Sequence, residues 1–103
     1  RGATFAAPPG AQVVSPCAGR AAFAAPFRSY GLLLIVDCGG GYHVVLAGMA
    51  ELAVSAGARL LPGEPVGRLA GAGGGGGGRV SLYLEVRRDG RPVDPRPFLA
   101  ASG

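Results

Sequence analysis

Glycines and prolines interrupt this sequence every few residues and limit it to short secondary-structure elements. The 103 residues include 20 glycines and 9 prolines, and both residue types mark turns and end regular elements. The segments between them are rich in aliphatic residues, as is typical of strands. The pattern therefore predicts an all-β fold, and the length is that of one small domain, residues 1–103.

Two of the predicted strands carry most of the information. Residues 31–37 are apolar on both faces of a strand, so this strand is predicted to be central. Residues 80–87 alternate, which places apolar and polar side chains on opposite faces. The polar face holds Ser81, Tyr83, Glu85 and Arg87. Further strands are predicted at 12–15, 19–24, 42–46, 59–61 and 65–69, with one helical turn at 49–52.

Composition argues against several classes of function. All ten basic residues are arginine and the net charge is +4, but no basic helix or aromatic RNA-binding motif accompanies them, so we expect no nucleic-acid partner. No apolar run approaches the roughly 20 residues that span a bilayer. A lipoyl or biotinyl carrier is excluded because the sequence contains no lysine to acylate. The glycine run at 73–78 lacks the residues of a phosphate loop and predicts a flexible surface loop.

The two cysteines, Cys17 and Cys38, show no paired spacing with the single histidine, His43, so no structural zinc site is predicted. If the second and third strands form a hairpin that turns at 26–29, Cys17 lies opposite Cys38, within bridging distance. This register predicts a disulfide. The alternative is a pair of buried free thiols.

A set of segments, in order, resembles the LytM (lysostaphin-like) zinc endopeptidase family. The resemblance implies a small antiparallel sheet of the barrel-sandwich LytM type with at most one short helical turn. It covers almost the whole chain, and its segments are 9–13, 18–20, 30–37, 41–42, 54–57, 63–67 and 80–97.

The metal and catalytic positions of that family are replaced at every readable position. Thr4 stands in the slot of the metal-binding Asp, Gly48 in that of a catalytic His, and Ser81 and Tyr83 stand where the family carries His-x-His. A catalytic zinc needs about three protein ligands and an open position for water. The resemblance therefore implies no metal, no cofactor and no enzymatic activity.

Within the family, the sequence is most similar to the degenerate LytM domains of EnvC-type murein hydrolase activators. It shares with them the stretch from Ser81 to Arg88, followed by Gly90, Val93, Asp94, Pro95 and Pro97. That similarity implies a periplasmic regulator at the division site of a Gram-negative envelope. Its expected partner is the regulatory helix of an N-acetylmuramoyl-L-alanine amidase, which the former active-site groove would bind.

The groove predicted from this resemblance combines apolar and polar groups suited to a helix. Tyr83 offers a ring and a hydroxyl, and Arg87 offers a guanidinium for a carboxylate or a helix C-terminus. The six predicted groove residues are Arg1, Tyr30, Leu33, Leu46, Tyr83 and Arg87. A domain that binds peptidoglycan directly remains an alternative, and an active zinc endopeptidase is a weaker one.

Overall fold

A computed structural model describes residues 2–71 and 80–96, and it folds them into nine strands. The glycine run at 73–78 and Arg1 lie outside these described residues. One 3-10 turn, Arg28–Tyr30, is the exception to an otherwise β secondary structure among them. The strands are β1 (Gly2–Ala7), β2 (Gln12–Val14), β3 (Gly19–Pro26), β4 (Leu32–Gly39), β5 (Tyr42–Leu52), β6 (Arg59–Leu60), β7 (Pro65–Leu69), β8 (Val80–Arg88) and β9 (Arg91–Val93).

The strands form one sheet in the order β1-β8-β5-β4-β3-β6. Strand β7 pairs with β5 and with β2, and β9 pairs with β8. Each described pairing is antiparallel. The all-β, antiparallel fold predicted from the sequence is confirmed. No helix among the described residues is long and apolar enough to cross a bilayer.

The hydrophobic core lies on one face of this sheet. Strand alternation sends Leu34, Val44, Leu46 and Val86 to that face, and each is at most 1% exposed. Strands β2 and β7 cover them with Val13, Val66 and Leu69, which belong to the same cluster. Burial of a side chain of this kind contributes roughly 1.5–3 kcal/mol. The opposite face of the central strands is left for other contacts.

The helical turn predicted at 49–52 is wrong, because these residues continue β5. Met49 pairs with both Leu32 and Leu69. The strand passes through Gly48, which has a φ of +104° and is skipped in the pairing with β4, as in a β-bulge. A bulge bends a strand without ending it, so the short helix-like pattern that follows Gly48 stays in the sheet.

Strand β1 was not predicted, although it pairs with β8 along its whole length. Its residues are mostly alanine and glycine, which have low strand propensity. The pairing is therefore set by the neighbouring strand β8 and not by local preference.

Cys17 and Cys38 form a disulfide with a Cα–Cα distance of 5.8 Å. The predicted register was incorrect, however. Arg20 pairs with Asp37 and Pro26 with Leu32, so Cys17 lies before the start of β3 and not within the ladder. Ser15, which is 1% exposed, fixes this approach because its hydroxyl donates to the Cys17 carbonyl at 2.8 Å.

We expect reduction of this disulfide to lower the free energy of unfolding by about 3 kcal/mol, because the bond closes a loop with a sequence separation of 21 residues. Urea unfolding with and without reductant measures the change. The double variant Cys17→Ser/Cys38→Ser should match the reduced protein and be insensitive to reductant. An unchanged midpoint in both cases would contradict the prediction.

Candidate functional site

The face of the sheet opposite the core forms a continuous surface, which we call the groove face. Its position follows from strand register, because residues paired directly across antiparallel strands share a face. Tyr83 pairs with Thr4 on one side and with Ala47 on the other, and Ala47 pairs with Leu33. The groove face comprises Phe23, Ala25, Leu33, Ile35, Val45, Ala47, Gly2, Thr4, Ser81, Tyr83, Glu85 and Arg87.

A hydrogen-bonded network links three alternate residues of β8. The Tyr83 hydroxyl donates to Glu85 Oε1 at 2.9 Å, and Arg87 Nε donates to Glu85 Oε2 at 2.7 Å. Arg87 Nη1 also donates to the Gly90 carbonyl at 3.2 Å. Glu85 is only 8% exposed, so its charge is compensated by these two donors. The network holds the Tyr83 ring and the Arg87 guanidinium in fixed positions.

Gly2 allows this arrangement from the adjacent strand β1. A Cβ at position 2 would overlap the Tyr83 ring at its Cζ and hydroxyl atoms. The ring therefore lies over the backbone of β1, where only glycine leaves room. Gly2 is thus a direct neighbour of a residue in one of the replaced His-x-His slots.

An aromatic row continues from the groove face towards the 3-10 turn. The Phe23 and Phe27 rings meet edge to face at 5.9 Å, and Phe27 stacks on Tyr30 at 6.2 Å. Tyr30 is 53% exposed. Tyr30 also lies close enough to Tyr83 to contribute, after burial and Glu85, to the raised pKa of the Tyr83 phenol. Tyr30 and Tyr83, both predicted as groove residues, therefore belong to one surface.

Leu33 lies at the floor of the groove face, where it is 7% exposed. Leu46, in contrast, is a correction to the predicted groove. It is 1% exposed and belongs to the core cluster, on the opposite face of β5 from Ala47. Leu46 was assigned to the groove from the family resemblance alone, and the strand register pairs it with the core residue Leu34.

The four replaced slots of the peptidase site converge in the structure. Thr4 lies directly opposite Tyr83 across β1 and β8. A Cβ at Gly48 would lie 2.8 Å from the Ser81 carbonyl oxygen. The sequence alignment of these positions is therefore consistent with their proximity in the fold.

The side chains in these slots do not fit a zinc ion. Two of them offer only the neutral hydroxyls of Thr4 and Ser81, and Gly48 offers none. Burial raises the pKa of the Tyr83 phenol above its ordinary value, and its hydrogen bond to Glu85 raises that pKa further. The phenol therefore stays protonated and donates to Glu85. The described residues contain no group of three or more His, Cys, Asp or Glu side chains placed to hold a metal ion.

Glu85 is the residue that the predicted site lacked. Strand alternation had already placed it on the same face as Tyr83 and Arg87, and this was the available signal. Its role became visible only with the two hydrogen bonds that it accepts. His43, which was interpreted as a strand residue outside the motif, lies in β5 with Nε2 3.9 Å from Asp37 Oδ2.

We expect the network to appear in the titration of Tyr83. Because the folded-state pKa of the phenol is raised above its unfolded value near 10, its contribution to stability is complete below pH 10 and is lost as the pH rises through the folded-state pKa. Glu85→Gln removes the carboxylate charge and should lower that pKa, leaving the effect of burial. Ultraviolet absorbance at the tyrosinate band measures this, with Tyr42→Phe and Tyr30→Phe used to assign the transitions. An unchanged Tyr83 transition in Glu85→Gln would contradict the network.

Comparisons with known proteins agree with this fold. Residues 1–95 match the family model of Peptidase family M23. The chain is 35% identical over 99 residues to the murein hydrolase activator EnvC of Escherichia coli (strain K12), a match that covers 96% of this chain and 23% of that relative. The chain therefore spans under a quarter of the length of this relative.

Two solved structures show the same fold. A putative M23 peptidase from Pseudomonas aeruginosa superposes with a TM-score of 0.82 at 24% identity, covering 97% of this chain and 43% of that one. The solution structure of lysostaphin superposes with a TM-score of 0.83 at 19% identity, covering 99% of this chain and 43% of that one. From the family match over residues 1–95 together with this fold, the chain belongs to Peptidase family M23.

Proposed function

We propose that this domain is a non-catalytic regulator of cell-wall hydrolysis, which binds and activates a periplasmic peptidoglycan amidase. The observation that carries the proposal is the network of Tyr83, Glu85 and Arg87, in which Tyr83 occupies one of the two His-x-His slots of the resemblance. The similarity to an activator named for murein hydrolase activation supports it. The groove face would then bind a regulatory helix of an N-acetylmuramoyl-L-alanine amidase.

The groove face has the composition that an amphipathic helix requires. Leu33 and Ala47 form a buried floor, and Ile35 and Val45 are partly exposed beside them. An apolar helix face can cover this floor while polar groups at its rim set its position. Tyr83 supplies a rigid ring at that rim, and tyrosine and arginine are the residue types that dominate binding energy in protein interfaces.

Activation by helix capture needs only a difference in affinity between two states of the amidase. If the helix blocks the amidase active site when it is docked on its own protein, a domain that binds the released helix favours the open state. A shift from 1:99 to 99:1 requires about 5.5 kcal/mol of differential binding. A few buried contacts of the kind that Tyr83 makes are of this order.

The decisive experiment adds the purified domain to candidate zinc amidases and measures dye release from labelled peptidoglycan. The proposal predicts release only when domain and amidase are both present. Release by the domain alone would indicate an active peptidase and would contradict the proposal. Co-sedimentation with purified sacculi in the absence of any amidase is the control for direct peptidoglycan binding, and strong binding there without activation would favour that alternative.

A further inference from the structure

One row of charged residues crosses the groove face at the end remote from Ser81. Strand register aligns Arg20, Asp37, His43 and Arg87 on β3, β4, β5 and β8, and Arg59 of β6 extends the row beyond Arg20. Two of these residues are already engaged. Arg87 binds Glu85, and His43 lies beside Asp37. The remaining two residues are Arg20 and Arg59, which we call the arginine pair.

The arginine pair is held together by direct cross-strand pairing between β3 and β6. Directly opposed residues have Cβ atoms about 4.5–5.5 Å apart, and like charges in that position are destabilising. Both side chains are exposed, and neither forms an ion pair or a side-chain hydrogen bond with another described residue. The sheet therefore holds two adjacent guanidinium groups that form no ion pair with a carboxylate of the described residues.

Asp37 is the carboxylate closest to the arginine pair in register, but it is oriented elsewhere. Its Oδ1 accepts a hydrogen bond from the Gly39 amide at 2.9 Å, and its Oδ2 faces His43. Arg20 and Arg59 line a crevice of about 460 Å³ together with Asp37 and Leu61. Leu61 is 69% exposed, so it adds an apolar contact at the rim.

We infer that the arginine pair binds carboxylate side chains of an acidic segment in a protein partner. Arginine binds carboxylates through paired, directional hydrogen bonds, and arginine next to an exposed apolar residue is typical of protein interfaces. A flat anionic bilayer fits less well, because Arg20 and Arg59 line a crevice that a planar layer of headgroups cannot enter. A carboxylate on a side chain can enter such a crevice.

Only the identity of the partner rests on the proposed function. If the groove face binds the amidase helix, the arginine pair extends that binding surface. The acidic segment would then flank the amidase helix and lie beyond Arg87, across β4 and β3. Opposite charges of this kind mainly accelerate association and select the correct partner. The arginine pair would therefore determine specificity, while Tyr83 and the apolar floor would supply most of the affinity.

Two measurements test the inference, and the first of them does not depend on the proposed function. In the first, glutarate is titrated into the domain with labelled arginine Nε–H groups observed by NMR. We expect saturable shifts at Arg20 and Arg59 that disappear in Arg20→Gln/Arg59→Gln, a variant that should remain folded because it removes repulsion. Equal shifts at Arg68 and Arg91 would overturn the inference, as would stronger binding to phosphatidylglycerol vesicles than to glutarate.

In the second, affinity for the activated amidase is measured at low and high salt. Arg20→Glu/Arg59→Glu should weaken binding at least tenfold at low salt and less at high salt. Arg68→Glu/Arg91→Glu carries the same charge change outside the groove face and should have a smaller effect. Equal losses in the two variants would overturn the inference. If the wild-type domain activates no amidase, the proposed function fails, and the glutarate titration still decides whether the arginine pair binds carboxylates.

Discussion

Leu46→Ala is expected to lower the free energy of unfolding by about 3–5 kcal/mol. Leu46 is 1% exposed and packs within the core cluster, so truncation removes buried apolar surface and leaves a cavity. Urea or thermal unfolding of the purified domain measures the loss. Because a small domain has only about 5–15 kcal/mol of total stability, the variant should unfold at a clearly lower temperature.

Leu33→Ala is the matched control for this prediction. Leu33 is also largely buried, at 7% exposed, but it faces the groove and does not belong to the core cluster. Its truncation should cost less stability and should weaken partner binding. If Leu46→Ala left stability unchanged but reduced amidase binding, Leu46 would belong to the groove face and the register of β5 described above would be incorrect.

Tyr83→Ala is expected to weaken amidase binding by about 30- to 1000-fold, the loss typical of an aromatic residue that contributes roughly 2–4 kcal/mol to an interface. The substitution removes the ring at the rim of the groove and one of the donors to Glu85. Arg87 still binds that carboxylate, so stability should change by only about 1 kcal/mol. Calorimetric titration of the amidase measures the loss of affinity, and the dye-release assay measures the resulting loss of activation.

Tyr83→Phe separates the ring from the hydroxyl. It retains the aromatic surface but cannot donate to Glu85, so a loss between that of the wild type and Tyr83→Ala is expected. Ser81→Ala, at an exposed position of the same strand, should bind almost normally. An amidase affinity for Tyr83→Ala within threefold of wild type would refute the groove assignment.

Strand alternation allowed the two faces of β8 to be predicted from the sequence alone. The two faces of residues 80–87 were predicted correctly, because a period of two leaves no ambiguity when apolar and polar residues alternate over a whole strand. Strand β7 was predicted with the boundaries that the structure shows, since turn residues flank it on both sides. Alternation did not predict β1, because its residues have low strand propensity. Pairing with β8 holds β1 in the sheet.

The site was harder to predict from the sequence than the fold. Thr4, Gly48, Ser81 and Tyr83 could be located by motif order, but Glu85 gained its role only from hydrogen bonds between side chains. Leu46 was misplaced because its assignment rested on the family resemblance and not on strand register, in which it pairs with the core residue Leu34 just before the bulge at Gly48. Bulges of this kind depend on the neighbouring strands and are weakly marked in a single sequence.

The separation of the two faces of β8 has a practical consequence for engineering. Even-numbered positions such as Leu84 and Val86 contact the core, whereas Ser81 and Tyr83 on β8 and Thr4 on β1 contact none of it. A combinatorial library restricted to Thr4, Ser81 and Tyr83 could therefore be screened for new helical targets without a matching search for compensating core mutations. The domain would serve as a small disulfide-stabilised scaffold whose recognition surface can be evolved independently of its foldability.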